Sequence, residues 1–364
     1  MNPRCYDCIV SKKNKLEDKT VFVGVSGGVD SSVSAALLKD AGYNVVGVFI
    51  KVWQPEFLEC NWEKERTDAM RVCARLDIPF ITLDLEREYK KEVADYMISE
   101  YRSGRTPNPD VMCNKYIKFG SFLSFAKEKG ADYIATGHYA QVKEDNGEFK
   151  LLQGVDSNKD QSYFLWTLTQ NELSSVLFPV GKYKKSKVRK LAKKYNLLTA
   201  DKKDSQGICF LGHIDLREFL SHYLDLKKGE VHNTKGEIVG THSGAEIYTI
   251  GQRHGFLVSE KSTERKPYFV VSKDIKKNTV TVSNKPNDKD FNKKEISLSH
   301  INWITSAPKR RKKYTARIRH RGELYQCTVN DDSVIFKKPQ NSLARGQSLV
   351  LFDKVECIGG GVVS

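Results

Sequence analysis

Between Thr20 and Gly42 the chain runs from the apolar stretch VFVGV (Val21 to Val25) through Ser26-Gly27-Gly28-Val29-Asp30-Ser31-Ser32 into SVSAALLKDAG. A buried strand that passes over two adjacent glycines straight into a helix commits this region to a layered α/β fold. The turn also has a chemical reading. Two glycines let the backbone approach a phosphate, serine hydroxyls and unpaired N–H groups point at it, and the helix N-terminus adds partial positive charge. No Gly-Lys-Ser/Thr follows, so the loop is not a Walker A loop, and the pattern is not G-x-G-x-x-G either. Transfer of a γ-phosphate and binding of a dinucleotide are therefore disfavoured.

The rest of the first 200 residues repeats the same alternation. VVGVFI (Val45 to Ile50), FITL (Phe80 to Leu83) and YIAT (Tyr133 to Thr136) read as buried strands. Ala69, Val72, Cys73 and Leu76 recur at helical spacing, as do apolar residues from Tyr89 to Tyr101 and from Phe119 to Ala126. Strands and helices in turn predict a parallel sheet with helices on its faces. Beyond Gly212 the texture changes to short alternating runs such as EIYTIG, YFVVS and TVTVS, and the last of them, ARIRH, LYQCTV, SVIF and QSLVLF, suggest a compact barrel. The expected organisation is a disordered extension over residues 1–18, an α/β domain over 19–211, a small β-rich module over 212–284 and a β-barrel over 285–364.

With 364 residues the chain is long enough for several cores, and no run approaches the roughly 20 apolar residues of a bilayer-spanning helix. The N-terminal stretch has no apolar signal region and no Arg-rich amphipathic helix, so the expected location is the cytoplasm, without a membrane. Its eight cysteines are then expected as thiols unless chemistry oxidises them. The formal charge of +15 points to a polyanionic partner without identifying one.

Cys113 lies in GRTPNPDVMCNKYIKFG, where two prolines force an extended loop before a helix expected to start near Asn114 or Lys115. A thiol there, beside Lys115, is expected to have a lowered pKa and more thiolate. Cys209 lies in DSQGICFLG, far away in sequence, and neither cysteine has the local spacing of a zinc site.

SGGVDS resembles the PP-loop of ATP pyrophosphatases, in which a substrate oxygen attacks the α-phosphate of ATP and pyrophosphate leaves. The resemblance implies an adenine nucleotide alpha hydrolase-like domain whose ATP site is Gly24, Val25, Ser26, Gly27, Gly28, Val29, Asp30, Ser31, Ile50 and Gly137. Asp30 would help organise Mg²⁺ and pyrophosphate, with no metal held by the protein alone, and Ile50 would meet adenine through its backbone. Seven blocks, SGGVDSS, GRTPNPDVMCNKYIKF, ATGHYA, DSNKDQSYFLWTL, FPVGKYKKSKVRKLA, KKDSQGICFLG and YTIGQRHG, together resemble the tRNA-specific 2-thiouridylase family. That resemblance implies conversion of the wobble uridine (U34) of tRNA to 2-thiouridine, with ATP and Mg²⁺, giving AMP and pyrophosphate. Cys209 would carry a persulfide supplied by a cysteine desulfurase or sulfur-relay protein, and Cys113 would be the nucleophile that releases the thiolated base. A transient Cys113–Cys209 disulfide would remain. Asp110 would touch the target base and act as an acid or base, and a plain N-cap role is the alternative reading.

The tRNA contacts implied are Asn108, Pro109, Asp110, His138, Lys159, Asp160, Gln161, Gln252, Arg253, His320, Arg321 and Gln347, and the implied acceptors are lysine, glutamate and glutamine tRNAs. Asp160 also reads as the N-cap of a helix QSYFLWTL. Lysines and arginines from Lys182 to Lys194, and Lys309 to Lys313, read either as a tRNA-gripping surface or as solvated faces. The resemblance excludes the first 18 residues, and Cys5-Tyr6-Asp7-Cys8 is half a metal site without its partner. An iron–sulfur cluster would need a third ligand that the sequence does not identify. Val52 also departs from the polar residue expected after Lys51. Two other readings are a different PP-loop enzyme, such as an amidotransferase-type or argininosuccinate synthetase, and a non-catalytic RNA-binding or sulfur-carrier protein. Neither of the synthetases would need the cysteine pair, and a non-catalytic protein would not need an intact SGGVDS.

Overall fold

The computed structural model describes residues 16, 18–58, 62–204, 207, 209, 215–259, 267–285, 292–340 and 343–364. The expected extension over 1–18, with Cys5 and Cys8, lies outside them except for Leu16 and Asp18. Among the described residues no helix is long and apolar enough to cross a membrane.

In chain order the first elements are strand β1 (Thr20–Gly24), helix α1 (Val29–Asp40), β2 (Asn44–Lys51), α2 (Trp62–Arg75) and β3 (Phe80–Asp84). Helix α3 follows as three contiguous segments, Glu86–Tyr89, Lys90–Asp95 and Tyr96–Arg102, the middle one with π geometry. Helix α4 is built in the same way from Pro109–Met112, Cys113–Ser121 and Phe122–Glu128. Then come β4 (Tyr133–Ala135), the hairpin β5 (Ala140–Asp145) and β6 (Glu148–Gln153), β7 (Val176–Leu177) and α5 (Lys185–Lys194). The parallel sheet has five strands in the order β3-β2-β1-β4-β7. The chain leaves β1 to one side and returns to its other side at β4, so the loops after these two strands flank a topological switch point, where open α/β sheets bind ligands. One face of the sheet packs Val21, Val23 and Val45 against Val33, Ala36, Val72 and Val188 of α1, α2 and α5.

The expected helix QSYFLWTL is instead a single 3₁₀ turn, Ser162–Leu165. Tertiary contacts override the helical pattern here. Tyr163 and Trp166 are both buried and donate from the hydroxyl and indole N–H to the carbonyl and the Oγ of Ser348, at 2.9 and 3.1 Å. A capping box of Thr169 and Glu172 starts a new helical turn at Gln170–Leu173.

Helix α6 (Leu216–Ser221) leads into the strands β8 (Gly229–His232), β9 (Ile238–His242), β10 (Leu257–Val258), β11 (Phe269–Asp274) and β12 (Thr279–Ser283), which form a second sheet in the order β10-β9-β8-β12-β11. The last six strands are β13 (Lys293–Trp303), β14 (Tyr314–Arg317), β15 (Tyr325–Asn330), β16 (Ser333–Gln340), β17 (Ser348–Asp353) and β18 (Glu356–Val363). They close on themselves through the β13–β18 pairing, as a barrel should. The hairpin β5–β6 belongs to this sheet as well: Leu151 and Leu152 pair with Cys357 and Glu356. Val350, Phe352 and Cys357 of the barrel share one apolar cluster with Phe22, Phe122, Ile134 and Leu151, so barrel and parallel sheet are packed together.

Candidate functional site

The phosphate loop joins β1 to α1. Gly27 has φ +69, and a Cβ there would lie 2.8 Å from the Glu65 carbonyl oxygen, so both backbone angle and space require glycine. The Ser31 hydroxyl accepts from Ser26 N–H at 3.2 Å and donates to the Gly28 carbonyl at 3.2 Å, and the Ser32 hydroxyl donates to the same carbonyl at 2.7 Å. These bonds hold the loop open, while no side chain caps α1. Its first-turn N–H groups remain available to an anion. Gly137 closes the other side: a Cβ there would sit 2.7 Å from Ser31 N and 2.9 Å from the Asp30 carbonyl carbon. Gly24, Val25 and Ile50 at the ends of β1 and β2 and Val29 at the start of α1 complete the arrangement, with Val25 N–H donating to the Val48 carbonyl at 2.8 Å. The expected nucleotide residues are thus brought together at the switch point.

Sequence reasoning missed one member of this site. Lys185 sits in the basic run assigned to RNA, yet its ammonium donates to both Asp30 carboxylate oxygens at 2.8 and 2.7 Å and lies 2.8 Å from Asp204. The Tyr139 hydroxyl also donates to Asp30, at 2.7 Å. Lys159 and Arg189 reach Asp204 at 2.5 and 2.8 Å, and although burial opposes it, Lys159 and Lys185 hold the Asp204 carboxyl down to about 2. A signal was present in the sequence. Lys185 and Arg189 are four apart on the helix face that carries Val188 and Ala192, which face inward.

The two cysteines meet. Cys113 Sγ lies 3.5 Å from Cys209 Sγ, with Cys113 fully buried and Cys209 half-buried. Helix α4 starts at Pro109, not at Asn114 or Lys115, because proline is well suited to the first helical position. Cys113 therefore lies one turn into the helix. Lys115 is exposed over the Tyr116 ring and is not the neighbouring cation; that cation is Lys118, which faces Cys209, Cys113 and Asp110. Burial pushes the Cys113 thiol well above its ordinary value, with the neighbouring Cys209 sulfur adding to the rise. The hydrogen bond from Cys113 and the charge of Lys118 outweigh burial and bring Cys209 down to about 7. The activated thiol is thus Cys209 rather than Cys113. Asp110 Oδ1 accepts from Cys209 N–H at 2.8 Å, and the Tyr89 hydroxyl donates to the Cys209 carbonyl at 2.7 Å. Burial raises the Asp110 carboxyl, with that amide and Lys118 opposing the rise. His138 is buried between Phe119 and Phe178, 2.7 Å from the Thr136 hydroxyl, and is held neutral by burial and by Lys118.

The remaining sequence-predicted contacts line the junctions. Asn108 and Pro109 open α4. Lys159 pairs with Asp204, buried Asp160 pairs with Arg317 at 2.9 Å, and Gln161 Oε1 accepts from Tyr139 N–H at 3.0 Å. Gln252 braces its own loop by accepting from Thr249 N–H at 3.0 Å, and Arg253 lies over Phe269. His320 packs on Phe164 with ring centroids 4.5 Å apart, Arg321 is exposed at φ +57, and Gln347 bonds the backbone ahead of Asn108.

Residues 19–213 match the family described as a tRNA methyl transferase HUP domain, residues 217–284 a tRNA methyl transferase PRC-barrel domain, and residues 293–363 an aminomethyltransferase beta-barrel domain. Among solved structures, the U34-tRNA thiolase NcsA of Methanococcus maripaludis is 17% identical with a TM-score of 0.36, covering 60% of this chain and 72% of that one. Two sequences are far more similar, both named tRNA-specific 2-thiouridylase MnmA. That of Listeria monocytogenes is 45% identical over 95% of this chain and 95% of its own length. That of Bacillus subtilis is 43% identical over 96% of each. Identity at this level, sustained over nearly the whole of both chains, shows that the chain belongs to the tRNA-specific 2-thiouridylase family.

Proposed function

We propose that this chain converts the wobble uridine of tRNA to 2-thiouridine, using ATP and a persulfide sulfur. The observation that carries the reading is the 3.5 Å approach of Cys113 and Cys209 beside Asp110, in a domain whose phosphate loop is intact. The wobble base must leave the anticodon stack to reach this site. Uracil O2 attacks the α-phosphate of ATP, the bond to the β-phosphate breaks, and pyrophosphate leaves against the loop and the N-terminus of α1. Mg²⁺ arriving with ATP supplies charge neutralisation of the phosphates. The glycine cradle at Gly27 and Gly137 fits a phosphate chain, and Asp30, whose carboxylate Lys185 and Tyr139 hold beside the loop, would help organise the ion once ATP displaces the Lys185 pairing.

The persulfide on Cys209 comes from a donor such as a cysteine desulfurase or relay protein. Its terminal sulfur bonds to C2, and the C2–O bond breaks to release AMP. Cys113 then gives up its proton, its sulfur bonds to Cys209 Sγ, and the old sulfur–sulfur bond breaks, leaving thiocarbonyl sulfur on the base. Asp110 accepts or returns protons in these steps. Two thiols are oxidised to a disulfide while the transferred sulfur is reduced, so a thiol reductant resets the pair. A disulfide is about 2.05 Å long, so the sulfurs close by roughly 1.5 Å. Asn108, Pro109, His138, Lys159, Asp160, Gln161, Gln252, Arg253, His320 and Arg321 bound the anticodon path, and the exposed lysines of α5 grip the backbone of lysine, glutamate and glutamine tRNAs. The reaction belongs in the cytoplasm.

The test is incubation with ATP, Mg²⁺, a persulfide source and unmodified tRNA. 2-Thiouridine and AMP should form, and Cys209→Ser and Cys113→Ser should each abolish thiouridine. Full activity of either variant, or no thiouridine from the native chain, overturns the reading.

A further inference from the structure

Three parts of the molecule meet at Thr106 and Pro107, a buried strap immediately ahead of the Asn108–Cys113 segment. The C-terminal barrel satisfies every backbone polar group these two residues possess. Thr106 N–H donates to the Arg345 carbonyl at 2.8 Å, and the Gln347 side-chain amide donates to the Thr106 and Pro107 carbonyls at 3.1 and 3.0 Å. Pro107 has no N–H to place. Gly346, at φ +90, presses against the same strap: a Cβ there would lie 2.8 Å from the Thr106 carbonyl oxygen. The turn carrying these groups is itself tied down, since Gly346 N–H donates to Val363 and Val363 N–H to Gln347, both at 2.9 Å. On its other side the strap touches the central module, with the Thr106 and Thr249 hydroxyls 3.2 Å apart.

We propose that the Ala344–Gln347 turn is a positioning clamp for the catalytic segment and that Gln347 acts through the strap rather than through RNA. Both N–H donors of its amide are already committed to protein carbonyls. The strap continues without a break into Asn108, Asp110 and Cys113, whereas Cys209 comes from a distant stretch of chain whose carbonyl is held by Tyr89 and whose amide alone reaches Asp110. Movement of the strap therefore shifts Asp110 and Cys113 together against Cys209. A displacement of about 1 Å between reacting groups costs on the order of a hundredfold in rate. Gln347 is thus a positioning residue, and the barrel controls the sulfur chemistry from outside the domain that performs it.

The proposal rests on the thiolation reading, but one arm of its test does not need it. Gln347→Met keeps the length and removes both donors. Three quantities separate the roles: the pH profile of Cys209 alkylation without tRNA, the tRNA dissociation constant, and the single-turnover thiolation rate at saturating tRNA. A clamp predicts a displaced alkylation profile, a dissociation constant within about twofold of native and a single-turnover rate lower by about tenfold or more. An unchanged alkylation profile overturns the clamp, whether or not RNA binding weakens. Gly346→Ala, which keeps the amide but pushes the turn off the strap, should show the same signature and serves if Gln347→Met fails to fold. Alkylation is read without tRNA or ATP, so the clamp is decided even if the native chain makes no thiouridine.

Discussion

A hydrogen bond between two thiols is asymmetric, because the one that donates keeps its proton while the one that accepts is eased toward thiolate. Here the asymmetry follows burial: Cys113 is enclosed inside α4, and Cys209 shares the charge of Lys118. In the proposed reaction Cys209 would therefore take sulfur from the donor, and Cys113 would hold its proton until the persulfide has reacted. Alkylation of Cys209, followed by peptide mass spectrometry, should rise through a midpoint near 7, since thiolate accumulates only above the pKa. Replacing the cation by Lys118→Met should move that midpoint upward, since the Cys113 hydrogen bond would then alone oppose burial. A midpoint left in place would show that Lys118 has no share in activating this thiol.

Elements were legible from the sequence where one period dominated. The strands at Val21, Val45, Phe80 and Tyr133 and the turn at Gly27-Gly28 stand where apolar runs and glycines put them, because a buried parallel strand has few other readings; the Phe80 strand, expected to be buried, is an edge strand with Thr82 and Asp84 exposed. Two failures have different causes, one local and one tertiary. The start of α4 was misplaced because two prolines, Pro107 and Pro109, looked alike as loop formers, while only Pro109 occupies a first helical position. That error put Lys115 beside the thiol in place of Lys118. The turn at Ser162–Leu165 looked helical because nothing local reveals that Tyr163 and Trp166 must both reach Ser348. The meeting of Cys113 with Cys209, 96 positions apart, was inferred from family resemblance, since spacing alone carries no such information. At the loop itself, Gly137→Ala would drive a methyl into Ser31 and Asp30. ATP-dependent adenylation should fall by about a hundredfold or more, while Cys209 alkylation keeps its native profile. Adenylation within a few-fold of native would remove Gly137 from the nucleotide site.

For the whole molecule, the charge excess of +15 is divided between two uses. Lys185 and Arg189 are turned inward to Asp30 and Asp204, whereas Lys182, Lys184, Lys187, Lys190, Lys193 and Lys194 are exposed. Reversing Lys187 and Lys190 to Glu should flatten the dependence of tRNA affinity on salt, each lost phosphate contact lowering the slope by about one. An unchanged slope would return these residues to a plain solvated face. The union of barrel and α/β domain depends on another arginine. Arg317 meets Asp160 at 2.9 Å with side chains 11% and 1% exposed, and Asp160 also accepts from the Gly154 and Ser162 amides, both at 3.1 Å. Arg317→Met leaves that carboxylate buried without its cation and should cost about 3 kcal/mol in a denaturant titration. A loss below about 1 kcal/mol would mean the pair is dispensable.

The hairpin β5–β6 gives synthesis a fixed order of events. Leu151 and Leu152 leave the ribosome some 200 residues before Cys357 and Glu356, the positions they pair with. At roughly 5–20 residues per second, the outer edge of β6 waits on the order of 10–40 s for its neighbour. During that interval the apolar surface of Phe22, Phe122 and Ile134 also lacks Val350 and Phe352. The α/β half of the molecule cannot finish folding as it emerges, and an unpaired strand edge invites pairing with other chains. A chain stopped before β17 would thus lose part of its α/β domain's own core along with the closure of its barrel.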